Sequence, residues 1–201
     1  MSHLKAFYQT EVPEAGCDEA GRGCLAGPVV AAAVILDPQR PIQSLNDSKK
    51  LSPKQRNILH DRICSTAKAW AIAEVSVDVI DRVNILNASL MAMQNAVLQL
   101  SVSPGLLLID GNRFVNWSIP HRCIVQGDAR YQSIAAASIL AKVYRDQLMA
   151  RWHEKYPLYQ WIQNKGYPTK EHISALKNFG PTPLHRQKFI SKFIEPDLFS
   201  D

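Results

Sequence analysis

Two adjacent carboxylates, Asp18 and Glu19, stand just ahead of the tripeptide Gly21-Arg22-Gly23 and the apolar run Pro28 to Leu36. Neighbouring acids at a strand end lose hydration and repel each other unless a cation joins them. The simplest resolution is a bound hard metal ion. The glycines let the backbone approach a ligand closely and adopt positive φ, and Arg22 offers a planar cationic fork suited to phosphate. Further along, Asp110 follows Leu106-Leu107-Leu108-Ile109 and precedes Gly111-Asn112, which puts it at the C-terminal end of a buried strand, where open α/β sheets place ligands. Asp128 sits in Gln126-Gly127-Asp128, ahead of a long helical pattern. Taken singly, Asp110 is equally a turn residue and Asp128 most simply a helix cap. Four acids at element ends of one sheet would form a cluster suited to Mg²⁺ or Mn²⁺, which prefer carboxylate and water oxygens and keep positions open for substrate phosphate. Two such ions about 4 Å apart can activate a water and stabilise the leaving oxygen in phosphodiester hydrolysis.

The elements that must position these acids follow from the apolar pattern. Strands are expected near 12–18, 27–36, 69–76, 105–110 and 121–125, each a short β-branched or apolar run bounded by Gly, Pro, Asn or charge. Ser52-Pro53-Lys54-Gln55 reads as a capping box that opens a helix through about residue 66. Asn84 or a neighbour opens another over 85–100, with Leu86, Leu90, Met93, Val97 and Leu100 at helical spacing. A long helix is expected over 130–156, beginning with small apolar residues that can press closely on a sheet. Thr169 caps a further helix to about 179, and Gly180-Pro181 breaks it before a final basic segment. The first two strands are joined by a short loop and should pair antiparallel, giving an α/β layer fold with a mixed sheet. Strand alternation sends Asp18 and Glu19 to opposite faces. The glycines that follow are expected to supply a twist that lets both reach a metal.

A chain of 201 residues with 46% apolar content is read as one domain over 1–201, with a C-terminal helical extension over 157–194 and a tail over 195–201. No stretch approaches the roughly 20 uncharged apolar residues of a membrane span, and the N-terminus lacks the apolar core of a signal peptide, so a cytoplasmic location and no membrane contact are expected. Cys17, Cys24, Cys64 and Cys123 form no C-x-x-C pair and read as small buried thiols. The net charge of +5 points weakly to a polyanionic partner.

Six segments carry a resemblance over nearly the whole chain: Ala15 to Val30, Leu45 to Ser52, Leu107 to Phe114, Gly127 to Asp146, Lys165 to His172 and His185 to Phe189. In this order they resemble the type 2 ribonuclease H family, specifically bacterial ribonuclease HII. The resemblance implies the ribonuclease H-like fold, a mixed five-stranded sheet flanked by helices with a C-terminal helical extension. It implies Asp18, Glu19, Asp110 and Asp128 as metal-binding catalytic acids using Mn²⁺ or Mg²⁺. It also implies endonucleolytic cutting of RNA in RNA–DNA hybrids and 5′ to single ribonucleotides in duplex DNA, leaving a 3′-hydroxyl and a 5′-phosphate.

By position, Gly21-Arg22-Gly23 resembles the loop that senses the ribose 2′-hydroxyl, the group that distinguishes RNA from DNA. Tyr167 resembles the tyrosine that packs on the following sugar. Ser48, Lys49 and Lys50 look like a phosphate-binding turn, with a solvated charge pair as the plain alternative; Lys142 and Arg145 either line the duplex groove or solvate the helix exterior. Two departures stand out: Cys24 where the family often has Pro, and Gln126 where it often has Lys. The short stretch before Ala15 argues against the sister family ribonuclease HIII. Asp197, Leu198 and Phe199 resemble the close of a sliding-clamp docking peptide, against the alternative that they tuck onto the protein's own surface. The family default is a monomer. Among competing readings, a non-catalytic hybrid-binding module is opposed by the intact four acids. Another carboxylate-metal nuclease of the same broad fold is opposed by Gly21-Arg22-Gly23 and Lys165-Gly166-Tyr167.

Overall fold

The computed structural model describes residues 4–194. The proposed clamp contact at Asp197, Leu198 and Phe199 therefore lies outside the described residues. Strands β1 (Glu14–Ala20), β2 (Val29–Ile35), β3 (Ala69–Val75), β4 (Leu106–Asp110) and β5 (His121–Ile124) form one sheet in the order β3-β2-β1-β4-β5. β2 runs antiparallel to β1 and β3, while β1, β4 and β5 are mutually parallel neighbours. Helices α1 (Pro53–Thr66) and α4 (Gln132–Lys155) cover one face, and α2 (Val77–Val83) and α3 (Ile85–Leu98) cover the other. β2 is buried at every residue because both of its faces are covered, as its unbroken apolar run requires. Val29, Ala31, Ala33 and Ile35 join the core under α3, and Val30, Ala32 and Val34 join the core under α4.

β1 begins and ends two residues later than expected. Pro13 cannot donate to the ladder, and its carbonyl instead receives the amides of Gly105 and Leu106. Glu19 consequently sits inside the strand, opposite Ala31, rather than in a loop entry. The glycine turn comes only at Gly21, with φ +96°. At Gly16 a Cβ would collide with the backbone of Ser133 and Ile134, so the first turns of α4 lie directly against β1, as their small residues allow.

The Ser52 capping box is formed: Ser52 Oγ accepts from Gln55 N, and Gln55 Oε1 accepts from Ser52 N at 2.9 Å. Asn84 and Thr169 cap α3 and α6 (Lys170–Phe179) through their side chains. Beyond α4, the short α5 (Trp161–Asn164), α6 and α7 (Gln187–Ile194) pack around Trp161, Tyr159, Leu176 and Ile190 at the far end of α4. Of the thiols, Cys17 and Cys24 are buried, whereas Cys64 and Cys123 are only partly so; all four are free. Among the described residues no helix is long and apolar enough to cross a membrane.

Candidate active site

The parallel register that ends at Cys17 and Ile109 puts Asp18 beside Asp110, both on the α4 face of the sheet. Asp110 closes β4, and its Oδ1 accepts the amide of Gly127 at 2.7 Å. That bond ties the strand end to the short turn Gly127–Ala129, which carries Asp128. Asp128 does not cap α4, whose first flanking residue is Tyr131. Glu19 points to the opposite face, yet it lies one residue from the strand's end and shares the field of Asp110.

The four acids thus gather around the C-terminal ends of the interior strands β1 and β4, where Asp18, Glu19 and Asp128 each feel the charge of Asp110. Burial pushes the Asp18 carboxyl well above the ordinary range, and the charges of Glu19 and then Asp110 push it further. Burial also raises Glu19, against the pull of Arg22 Nη1, 3.2 Å from Glu19 Oε1. Asp128 is raised by burial, then by Asp110 and Asp47, with Lys49 opposing. Burial outweighs both cations because they are largely in water: the side chains of Arg22 and Lys49 are 51% and 82% exposed, and Lys49 Nζ stands 3.9 Å from Asp128. Among the described residues, no three or more His, Cys, Asp or Glu side chains already stand close enough together to hold an ion. The donor set nonetheless fits a hard dication: hard oxygen ligands, short of positive charge and destabilised by one another.

A cleft of about 220 Å³ opens beside Asp18 and Glu19, bordered by Gly21-Arg22-Gly23, Ser48, Lys49, Lys142 and Tyr167. Lys50 is not on its wall. Ser48 is buried, its hydroxyl 2.9 Å from that of Ser138, so it anchors the turn Ser48–Lys50 to α4 while only the lysines reach water. Arg56 holds that turn through the carbonyls of Ser48 and Leu51. A larger cleft of about 660 Å³ shares Lys142 and Tyr167 and adds Arg56 and Lys165. Lys142 Nζ lies 5.9 Å from the centre of the Tyr167 ring and 2.7 Å from Asp146.

Arg145 neither lines the groove nor solvates the helix. It is buried, and it donates to the carbonyls of Ala26, Pro28 and Lys165. Its place on the buried Ala141, Arg145, Leu148 stripe of α4 is the signal that could have revealed this. Arg186 and His185, also buried, carry no comparable periodic signal, whereas His172 lies on the buried His172, Ala175, Leu176 stripe of α6. Cys24 does not face the cleft: it is buried with its sulfur toward the carbonyl of Lys165, and burial raises its thiol pKa. Gln126 is exposed in a left-handed conformation, φ 55°.

Of the two predicted positive-φ glycines, only Gly21 has that conformation. Each of the other eight glycines has either positive φ or a neighbour that an added Cβ would strike; Gly23 has neither, and its Cβ would enter open space. Nothing inside the protein requires glycine there.

A mixed sheet in this order, flanked by helices and bearing carboxylates at the ends of its parallel strands, defines the ribonuclease H-like class. The sequence profile of the family described as Ribonuclease HII matches residues 15–192. The ribonuclease HII of Bacteroides thetaiotaomicron is 56% identical over 187 residues, 92% of this chain and 94% of that one. The Archaeoglobus fulgidus ribonuclease HII, described in complex with PCNA, is 25% identical, with a TM-score of 0.76 over 88% of this chain and 95% of that one. Bst-RNase HIII, described in complex with Mn²⁺, shares the fold at 17% identity and a TM-score of 0.70, over 91% of this chain and 69% of that one. The chain belongs to the ribonuclease HII family. It is a ribonuclease H, an endonuclease of RNA–DNA hybrids that depends on divalent metal.

Proposed function

We propose that the chain cuts on the 5′ side of ribonucleotides, both in RNA–DNA hybrids and at single ribonucleotides within duplex DNA, leaving a 3′-hydroxyl and a 5′-phosphate. Asp18, Glu19, Asp110 and Asp128 would hold two Mg²⁺ or Mn²⁺ ions. Bound there, the metal supplies activation of a water and stabilisation of the leaving oxygen. The observation that carries the reading is the open space at Gly23, on a loop that borders the same cleft as Asp18 and Glu19. A missing side chain that the protein's own packing does not demand leaves room for a substrate sugar to approach the backbone.

In this reading, Gly21, Arg22 and Gly23 meet the ribose 2′-hydroxyl with peptide groups, and Arg22 contacts the adjacent phosphate. Tyr167, 41% exposed, packs on the next sugar, where a deoxyribose fits best. Lys49 and Lys50 neutralise backbone phosphate, with Ser48 fixing their turn. The larger cleft, with Arg56, Lys142 and Lys165, continues the path of the duplex. The enzyme acts as a monomer in the cytoplasm, as one domain with its helical extension. The archaeal relative's complex with PCNA supports a clamp contact here too; Asp197, Leu198 and Phe199 are the segment proposed for it, on their resemblance to a docking peptide alone.

The test is cleavage, in Mg²⁺ or Mn²⁺, of a DNA duplex bearing one ribonucleotide beside an all-DNA duplex. Cutting only 5′ to the ribonucleotide is expected, with Asp18→Asn and Asp110→Asn binding the duplex but not cutting it. Equal cutting of all-DNA, or full activity in both variants, would falsify the assignment.

A further inference from the structure

The Gly21-Arg22-Gly23 loop turns at Arg22-Gly23 beside the cleft, but β1 supplies no side-chain donor to hold its peptide planes. The groups that do come from the opposite end of the chain. Arg186 is buried, and its guanidinium makes three hydrogen bonds to carbonyls: Nη2 to Gly21 at 2.7 Å, Nη1 to Arg22 at 2.9 Å and Nε to Gly27 at 2.9 Å. The Phe189 ring closes over it, its centre 5.3 Å from the guanidinium carbon. The segment carrying Arg186 is itself laced to the loop's far side, Gly27 N donating to Leu184 O and Arg186 N to Leu25 O, each at 2.8 Å.

A carbonyl and the amide of the following residue share one rigid plane and point in opposite directions. Gripping the oxygens of Gly21 and Arg22 therefore sets the directions of the Arg22 and Gly23 N–H groups, away from Arg186. Among the described residues, neither of these two amides has an acceptor within the protein. They belong to the loop that borders the cleft beside Asp18 and Glu19. A lysine could not do this, because a point ammonium lacks the planar fork that spans adjacent carbonyls.

We infer that Arg186 is a positioning residue for ribonucleotide recognition: its guanidinium holds two successive peptide planes so that the Arg22 and Gly23 amides are aimed at the substrate sugar. Arg186 touches no substrate and acts through the loop. Its role rests on the reading that this loop senses the 2′-hydroxyl.

Two measurements test it on the full chain. In Arg186→Gln and Arg186→Lys, the amide NMR signals of Arg22 and Gly23 should shift and their hydrogen exchange quicken, while amides in β2 stay in place. On a DNA duplex with one ribonucleotide, kcat per folded molecule should fall on the order of 100-fold, the scale of a small misplacement of reacting groups, with KM changed less than about threefold because the phosphate contacts are intact. Should the Gln variant not fold, the Lys variant, which keeps the buried charge, carries both measurements. Unmoved amides, or a kcat per folded molecule within about twofold of the wild type, would overturn the inference. If the wild type itself does not cut at a single ribonucleotide, the reading of the substrate fails, and the amide signals still decide whether Arg186 sets the loop.

Discussion

At the scale of the residue, Asp18 carries the sharpest conflict in the molecule: a carboxyl 5% exposed, with two other acids adding to the cost of its charge. Its folded pKa lies above its unfolded value, so its contribution to stability is complete below about pH 4 and is lost as pH rises through the folded value. In EDTA at pH 8, Asp18→Asn should therefore melt higher than the wild type, by about 2–4 °C if the relief is about 1 kcal/mol. The gap should narrow toward pH 4, and Mg²⁺ should reverse the order by stabilising only the wild type. A wild type that melts higher in EDTA would show that its own cations already neutralise the site. Asp18, Glu19 and Asp110 stood out in sequence as charges beside apolar runs, whereas Asp128 alone read as a helix cap and joined them only through the resemblance of the six segments. Arg186 was not legible: an arginine in sequence looks like a surface cation, and only the fold reveals the carbonyls that surround it; Arg145 had only its place on a buried helical stripe to betray it.

At the scale of the element, the apolar runs and caps marked the strands and most helices, but strand ends depended on pairing. β1 starts at Glu14 because the carbonyl of Pro13 is taken by Gly105 and Leu106, partners some 90 residues away that local pattern cannot contain. The same holds for the joint between α5, α6 and the segment before α7. There Thr182 N donates to His185 Nδ1 at 2.9 Å, so His185 carries its proton on Nε2 and donates to His172 Nε2 at 3.1 Å. His172 Nε2 also accepts from Trp161, and His172 Nδ1 donates to the carbonyl of Tyr167 at 2.9 Å. Every ring nitrogen is committed with both imidazoles neutral. Burial, followed by the neighbouring His172, brings His185 down to about 4. A base depressed in the fold contributes stability above its unfolded value, lost as pH falls from about 6.5 to about 4. The loss is about 3 kcal/mol for a shift of this size. His185→Gln should be less stable than the wild type at pH 7 and should show a shallower decline to pH 4 in urea unfolding. Parallel declines would place the acid sensitivity elsewhere.

At the scale of the whole molecule, the net charge of +5 said only that a polyanion was plausible; the fold puts Lys49, Lys142, Arg56 and Lys165 on two adjoining clefts. Lys49 is the most informative of them, since its exposed side chain supports little of the structure. In an Asp110→Asn background, Lys49→Ala should weaken hybrid binding alike for every sequence and lower the slope of log affinity against log salt by about 1. An unchanged slope would leave Lys49 as a partner of Asp128 alone. The reach of Arg186 back to Gly21 and Arg22, across 165 and 164 positions of sequence, also has a consequence in time. On the ribosome, all four acids have been made once residue 128 is in place, yet the loop carbonyls receive their buried donor only when residue 186 arrives. At about 5–20 residues per second, those 58 residues take roughly 3–12 s. A nascent chain thus acquires its acids several seconds before the guanidinium that grips the adjoining loop, and in the reading proposed for that loop the enzyme's selectivity is assembled last.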